Sequence, residues 1–565
     1  MTVKGIGGLL SVRRSGEAGR GVPRLKWRSL AALSIAVPLV LAAWSIGPAF
    51  ANEPLIKLST DPYVDPASQH MTEVEPDTFA FGTTVVSAFQ VGRFFNGGAS
   101  NAGFATSIDS GATWKHGFLP GTTKVATPPG TYDRASDTSV AYDAKHKTWL
   151  ISFLGLITPD PTNESTFLVD VLVSRSTDGG LTWGNPIVVN PNPRGSFLDK
   201  NWTACDDTPS SPHYGNCYTE YDDVNRNDLE QMSTSSDGGL TWGAPQTTAD
   251  APNVFSIPAG TPGAHGLGGQ PVVQPNGHVI VPYVDLDIEA SGAGIFTISD
   301  FMSTDGGATW SATTLISESD FHQPNSSCPA LAGCGVRADI PLPSAEIDRS
   351  GKVYVAWSDC RFEPSCGSSD IVLSNSTNGT AWSAVSRVPT FPISKAGDAT
   401  PVDRFVPGLA VDRGTAGNSA HLGLAYYYYP NGNCTTATCE LKLGFVSSTN
   451  GGQTWSANEQ VAGPMLLNWL PNTTQGFMVG DYISTSIVRG AANAVPAFAV
   501  AHKPSGAVLD EAIYTTVNEA LTIRGGTLAA EVGGLQARSA VSSTPATSST
   551  GSGTPLRLAS VHTAF

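Results

Sequence analysis

Short apolar runs separated by polar, glycine-rich turns recur from residue 55 to residue 517, and they come in pairs. Glu75-Pro-Asp77-Thr-Phe-Ala-Phe81 leads into Thr84-Val-Val-Ser-Ala-Phe89, and Arg134-Ala-Ser-Asp137-Thr-Ser-Val-Ala-Tyr142 into Trp149-Leu-Ile-Ser-Phe153. Asp199-Lys200-Asn-Trp202 leads to Cys217-Tyr-Thr-Glu-Tyr221, and Gly269-Gln270-Pro-Val-Val273 to His278-Val-Ile-Val-Pro-Tyr283. Asp339-Ile-Pro-Leu-Pro-Ser-Ala-Glu346 leads into Val353-Tyr-Val-Ala-Trp357, and Arg404-Phe-Val-Pro-Gly-Leu-Ala-Val411 into His421-Leu-Gly-Leu-Ala-Tyr426. A last group opens at Gly480-Asp481-Tyr482 and continues through Ala497–Ala501 and Glu511–Val517. Each pair starts polar and turns apolar, the pattern of β-strands with one end at a polar surface. The 40 prolines and 60 glycines suit many short strands and tight turns better than helices.

Between these pairs stands a repeated motif. It reads Ser107-Ile-Asp109-Ser-Gly111-Ala-Thr113-Trp114, then Ser176-Thr-Asp178-Gly-Gly180-Leu-Thr182-Trp183, Ser235-Ser-Asp237-Gly-Gly239-Leu-Thr241-Trp242 and Ser303-Thr-Asp305-Gly-Gly307-Ala-Thr309-Trp310. Ser448-Thr-Asn450-Gly-Gly452-Gln-Thr454-Trp455 has Asn for Asp, and Ser376-Thr-Asn378-Gly379-Thr380-Ala-Trp382 is also one residue short. The Asp or Asn positions lie 69, 59, 68, 73 and 72 residues apart, a period that marks a repeat architecture. Asp accepts from backbone N–H groups ahead of it and Gly supplies positive φ, so the motif predicts a hairpin turn between antiparallel strands.

The pattern S-x-D-x-G-x-T-W at this spacing resembles the Asp box of bacterial sialidases and related propellers. The resemblance covers about residues 54–517. It implies an all-β chain: a single β-propeller of four-stranded antiparallel blades, with the boxes on the outer rim and away from any active site. Seven blades are expected, with six, the usual sialidase count, as the alternative. The last group supplies three strands, so Leu55-Ile-Lys-Leu-Ser59 is expected to add the fourth and close the ring from the N-terminal side.

Residues 1–28 carry seven Lys or Arg and one acid, and an apolar run from Leu30 to Ile46 precedes Ala49-Phe50-Ala51. This is the layout of a secretory signal peptide cleaved after Ala51, with a retained membrane anchor as the alternative. Arg13-Arg14 is followed by Ser-Gly-Glu-Ala rather than apolar residues, which favours the general secretory route. Losing residues 1–51 takes the net charge from −16 to −22, which argues against nucleic acid or an anionic membrane surface as partner. Eight cysteines fall into the close pairs Cys205/Cys217, Cys328/Cys334, Cys360/Cys366 and Cys434/Cys439. An even count in a secreted chain predicts disulfides; zinc is the alternative, against which the pairs lack C-x-x-C spacing. Residues 518–565 break the strand pattern and are rich in Ser, Thr, Gly and Pro from Ser539 to Pro555, which predicts a disordered tail after a propeller of residues 52–517.

In a propeller the innermost strands ring a central channel, so the polar starts of the pairs should meet at one mouth. They are Glu75, Asp77, Arg134, Asp137, Asp199, Lys200, Gln270, Asp339, Arg404, Asp481 and Tyr482. Loops after the second strands should add Arg93, Glu220, Asp222, Asp285, Asp359, Arg361 and Tyr427 to Tyr429. Such polar residues can also serve structure alone, by bonding backbone groups and linking neighbouring blades. A sialidase grips its sugar's carboxylate with three arginines and uses a tyrosine nucleophile, a glutamate base and an aspartate acid/base. The resemblance implies Tyr482 as nucleophile, Glu75 as its base, Asp137 as acid/base, and Arg134, Arg361 and Arg404 as the clamp, with Arg337 and Arg93 in reserve. The family's F/Y-R-I-P motif is absent; the matching segment reads Glu75-Pro-Asp77. No D-x-D-x-D-G loop with a closing Glu occurs, so no metal is assigned, and no cofactor is expected. The expected partner is an extracellular glycan or glycoprotein. The competing functions are a glycoside hydrolase, with sialidase the named case, a hydrolase or lyase of another polysaccharide, and a non-catalytic propeller that binds glycan or protein.

Overall fold

The computed structural model describes residues 52–190, 197–226, 228–250, 266–288, 294–324, 335–338, 340–490, 492–518 and 520–533. The expected leader (1–51), the tail beyond 533, Asp339, Cys328 and Cys334 lie outside the described residues. Within them the chain is β-structure joined by turns, with helix limited to single 3-10 turns such as Glu164–Thr166. Every sheet pairing is antiparallel and mostly between strands adjacent in sequence, as the paired apolar runs require.

The fold is a propeller, but its blade count corrects the expectation of seven, or six, separate four-stranded blades. Five sheets of four or five strands stand as separate blades. Their first strands in sequence are Leu198–Cys205, Gly266–Leu267, Ser344–Ile347, Asp403–Val411 and, in the sheet of Leu55–Lys57, Ser484–Ile487. The eight strands from Ser68–Phe81 to Ile187–Val188, expected as two further blades, form one continuous sheet. Ala99 pairs with Ala135 across what would have been the gap. Hydrogen-bond continuity between neighbours is a matter of how closely two strands approach, and no local sequence pattern encodes it. Leu55–Lys57 pairs antiparallel with Glu511–Thr516, joining the two ends of the described chain.

The core lies between the sheets. Tyr354, Ala356, Leu373, Leu409, Leu424, Tyr426 and Trp455 make one such layer from two successive strand groups. Each aliphatic side chain buried this way contributes about 1.5–3 kcal/mol. Tyr427, Tyr428 and Tyr429, expected near the mouth, belong to these layers: Tyr427 is buried and its hydroxyl donates to Ala499 O at 2.8 Å.

The repeated motif is a turn that also ties one sheet to the next. In the first copy Ser107 Oγ donates to Asp109 Oδ1 (2.8 Å), and Asp109 accepts from Thr113 N–H (2.8 Å) and the Thr113 hydroxyl (2.6 Å). The same bonds recur at Asp178, Asp237 and Asp305. Asn450 keeps the geometry by donating Nδ2–H to the Thr454 hydroxyl at 2.9 Å. The second glycine is required by its neighbour: a Cβ on Gly307 would stand 2.3 Å from Thr234 Oγ1 on the preceding sheet, and its φ is +85°.

Disulfides join Cys205–Cys217, Cys360–Cys366 and Cys434–Cys439, which fits an oxidising environment. Among the described residues no helix is long and apolar enough to cross a membrane. The packed chain continues past residue 517. Leu521 and Ile523 are buried, Leu528–Ala529 pairs with Thr454–Trp455, and Glu531–Val532 extends the sheet at Ser386–Arg387. The low-complexity composition begins after these strands, so the boundary at 517 falls short of the packed body.

Candidate functional site

Four inner strands carry the same irregularity. Register shifts fall between Val74 and Asp77, Ser136 and Ser139, Asp199 and Trp202, and Phe405 and Pro407. Each bulge holds a non-glycine residue at positive φ: Glu75 (54°), Asp137 (44°), Lys200 (51°) and Val406 (50°). Such residues cost of order 1–3 kcal/mol each and persist where surrounding structure enforces them. A bulge re-aims its side chain. Here three of the four are charged, and they converge. Gly480 admits the last group's strand start: a Cβ there would meet Tyr482 O at 2.8 Å and Glu75 N at 2.9 Å.

Lys200 Nζ is the hub, 2.6 Å from Asp481 and 3.4 Å from Asp137. Arg337 Nη2 bonds the same Asp481 oxygen at 2.6 Å, and Asp481 N–H donates to Glu75 Oε1 at 3.2 Å. Gln90 Nε2 reaches both Glu75 Oε2 and Asp137 Oδ1, the latter at 3.3 Å, while its Oε1 accepts from Arg93 Nη1 at 3.4 Å. The Glu75 and Asp199 carboxyls both approach Asp137 closely enough to hydrogen-bond it when protonated. All of these side chains are buried except that of Asp481, which is partly exposed.

The environments drive the carboxyls apart. Burial, reinforced by Asp137 and Asp481, pushes Glu75 well up; burial beside Asp137 does the same to Asp199. Burial would also raise Asp137, but Lys200 overrides it and holds this carboxyl below its ordinary value. Burial likewise opposes charge on Asp481, and Arg337 and Lys200 together keep it ionised. Lys200 would lose its proton more easily through burial, but Asp137 and Asp481 hold it on. One cluster therefore contains carboxyls pushed up and carboxyls held down in proton affinity, the arrangement acid–base chemistry uses.

The expected clamp does not assemble. Arg361 is spent on Asp359, through Nε at 2.9 Å and Nη2 at 2.7 Å, and on Ser317 Oγ of the neighbouring sheet. Arg404 is buried between Glu363 (3.0 Å) and Asp370 (3.1 Å). Arg404 thereby ties its strand to the neighbouring sheet, and among the described residues no contact joins Arg361, Arg404 or Asp359 to the Glu75 cluster. Arg134 lies between Phe94 and Phe167 and donates to Asn96 Oδ1 and Gly97 O. The two reserves are the ones at the mouth. Arg93 donates to Gly98 O (2.9 Å) and Met478 Sδ (3.2 Å), and among the described residues no carboxylate lies within ion-pair distance of it. Burial, then the neighbouring Arg337 charge, lowers its pKa to about 10. Arg134 also falls to about 10, through burial and Arg93.

Tyr482 is buried edge-on to Trp202, at 5.1 Å between ring centroids, and its hydroxyl donates to Thr138 O at 3.2 Å. Burial, followed by Glu75, raises its pKa. Asp77 links neighbouring strands by accepting Val140 N–H at 2.7 Å, and Gln270 does so by accepting Ala345 N–H at 2.9 Å. Glu220, Asp222 and Glu230 form a second buried acidic group, where burial raises all three; like charges add to it, Glu230 acting on Glu220, Asp199 on Asp222, and Asp285 on Glu230. Among the described residues no group of three or more His, Cys, Asp or Glu is arranged to hold a metal ion. Sequence reasoning did not name Gln90, and Arg93 and Arg337, held in reserve, are the arginines that lie beside the cluster. The one available signal was Gln90 itself, a polar residue inside the apolar run Phe89-Gln90-Val91.

No family model and no curated relative matches the chain. Solved structures do. An ulvan polysaccharide lyase aligns over 84% of this chain and 96% of its own at 12% identity and TM-score 0.45. A leech intramolecular trans-sialidase aligns over 70% of each chain at 14% identity and TM-score 0.42. A Hadza microbial sialidase aligns over 76% of each chain at 11% identity and TM-score 0.41.

Proposed function

We propose that this protein is an exported glycan hydrolase that cleaves next to a carboxylate-bearing sugar at the mouth of the propeller, with a terminal sialic acid the first case to test. The observation that carries the reading is the Glu75–Asp137 pair, held on one Gln90 amide with opposite proton affinities. Glu75 gives its proton to the glycosidic oxygen as the bond to the anomeric carbon breaks. Water adds to that carbon and returns a proton to Glu75, while Asp137, one hydrogen bond from Glu75, stays ionised beside it. Asp199 and Lys200 hold Asp137 in place and in charge. Arg93, which among the described residues has no carboxylate within ion-pair distance, meets the sugar's carboxylate, since guanidinium pairs with carboxylate in planar, two-point fashion. Tyr482 packs beneath the pair rather than attacking: its hydroxyl is bonded to a backbone carbonyl, which cannot take its proton. Export is supported by the disulfides and by the leader pattern ahead of residue 52.

The test is turnover of a fluorogenic sialoside and of a panel of uronate-containing polysaccharides by the mature protein, beside Glu75→Gln, Asp137→Asn and Tyr482→Phe. New reducing ends that vanish in the first two variants and survive in the third support this reading. Loss in Tyr482→Phe alone restores the tyrosine as nucleophile. Unsaturated uronate products, detected by their ultraviolet absorbance, replace hydrolysis with elimination. Binding without turnover at high protein concentration leaves a lectin-like propeller.

A further inference from the structure

A cavity of about 40 Å³ lies in the channel beyond the charge cluster. The first strands of successive groups ring it, from residues 77–79 round to residues 483–484. Its walls start where the cluster ends: Asp77 follows Glu75 by two residues, and Trp202 follows Lys200 by two. None of Glu75, Asp137, Lys200 or Asp481 lines it. Trp202 does, and it meets Tyr482 edge-on at 5.1 Å between ring centroids. The cavity reaches the surface beside Arg413 and Glu346, whose side chains are 37% and 24% exposed.

The charges in these walls offset one another. Arg413 Nη2 stands 3.6 Å from Glu346 Oε2, and the guanidinium lies over the Phe79 ring at 4.8 Å. Asp77 spends one oxygen on Val140 N–H at 2.7 Å, and burial raises its pKa to about 7, so below that it also has a proton to donate. Burial raises Glu346 as well, against the pull of Arg413. An anion placed here meets Glu346 and a cation meets Arg413, whereas a hydroxyl can donate to the first and accept from the second. The volume holds about three waters, which fits a hydroxymethyl arm and is too small for a sugar ring.

A ledge of aromatic rings starts at the cavity wall and runs outward. Phe79 and Phe81 are alternate residues of one strand and share a face. Phe79 is edge-on to Trp149 at 6.2 Å, Trp149 lies 4.8 Å from Tyr142, and Tyr142 lies 4.3 Å from Phe81, which is 40% exposed. Aromatic walls with a few converging polar groups are the usual make-up of a small-molecule site. Aromatic faces carry partial negative charge and attract the C–H face of a sugar, while its hydroxyl edge needs polar partners.

We infer that this end of the channel binds a neutral sugar, with an exocyclic hydroxymethyl group in the cavity among Asp77, Glu346 and Arg413 and the ring against Phe81 and Tyr142. The site is independent of the hydrolysis proposed above, since it calls for no carboxylate on the ligand and no turnover.

The test is calorimetric titration of the mature protein with the methyl glycosides of glucose and galactose. Methyl xyloside, which lacks the hydroxymethyl group, and glucuronate, which carries a carboxylate in its place, are the comparisons. One or both hexosides should bind at least about tenfold more tightly than either comparison ligand, the cost of leaving buried polar groups unfilled or of burying a charge. Phe81→Ala should weaken the hexoside at least about fivefold by removing the ledge. Equal affinity for hexoside and xyloside overturns the hydroxymethyl seat, and no saturable heat with either hexoside up to about 100 mM overturns the site. Should Phe81→Ala misfold, a diazirine-bearing hexoside decides in the parent: label on the peptides of Phe81, Trp202 or Arg413 supports the site, and label confined to other peptides overturns it. Tightest binding of glucuronate, unchanged in Phe81→Ala, overturns this site and leaves the carboxylate-sugar reading of the mouth standing.

Discussion

Two buried charge networks in this molecule look alike in composition and differ in how they are completed. Around Arg404, the guanidinium meets Glu363, Asp370, Val402 O and Ser369 O, and Arg387 bonds Asp370 at 2.7 Å while its Nη2 reaches Phe391 O. Its residues come from adjacent strands, and no residue in it is held at positive φ. At the mouth, by contrast, Arg93 has no carboxylate within ion-pair distance among the described residues, Glu75 and Asp199 are pushed toward protonation by burial, and three of the converging residues sit at positive φ. A network that completes itself holds sheets together. One that leaves a guanidinium unmatched among the described residues and stores backbone strain fits the ligand site proposed above.

The contrast is broken most directly by neutralising the mouth. Glu75→Gln and Asp137→Asn should each lower kcat by about 10²–10⁴-fold while leaving the melting temperature the same or higher, measured by turnover and calorimetry on the same samples. A large stability loss in both would make the mouth a second structural network. Arg404→Met should do the reverse, costing about 3–5 kcal/mol in denaturant unfolding because Glu363 and Asp370 are left buried without it. Lys200→Met sharpens the picture further. Lys200 holds Asp137 low, so the acid limb of the rate profile should move up by about one pH unit or more.

A smaller effect concerns pH and the whole fold. Burial raises Asp77 and Glu230 to about 7 and Glu73 and Asp207 to about 8. Carboxyls whose folded pKa is raised bind more protons folded than unfolded, so stability falls as pH rises from the ordinary value of about 4 toward about 8. The melting temperature should drop by about 5 °C or more between pH 5 and pH 8, read by calorimetry; a flat profile would mean these carboxyls find counter-charges in solution. The least effect is expected at the rim. Asp178→Ala removes the turn bonds to Thr182 in one of several copies, and should lower the melting temperature by about 1–2 °C with kcat unchanged.

Much of the fold is legible in the sequence because its signals are local. The Ser-x-Asp-x-Gly turn fixes its own hydrogen bonds within five or six residues, and the apolar pairs between turns become antiparallel strands in the register the turns set. Cys205 and Cys217 lie opposite each other on adjacent strands, as their loop-stapling spacing implies. The grouping of strands into blades was not legible, because the Ala99–Ala135 pair that fuses eight strands depends on the approach of two groups rather than on either sequence. Nor was the end of the packed body, since Leu521 and Ile523 acquire meaning only from the groove they fill.

For the site, the chain by itself marked Glu75, Asp137, Lys200 and Asp481 as the polar starts of apolar runs; bulges at the first three turn them to one point, where Asp481 meets them. Only the tertiary structure decided which arginines join them. Arg361 and Arg404 have acids two residues away or on the neighbouring strand and pair there, whereas Arg93 and Arg337, unremarkable in sequence, are delivered to the mouth by the second strand of one group and by the loop that runs beside Phe477. The physical reason is range: turns and strands are set by neighbours along the chain, while a buried charge is set by whichever opposite charge folding brings nearest.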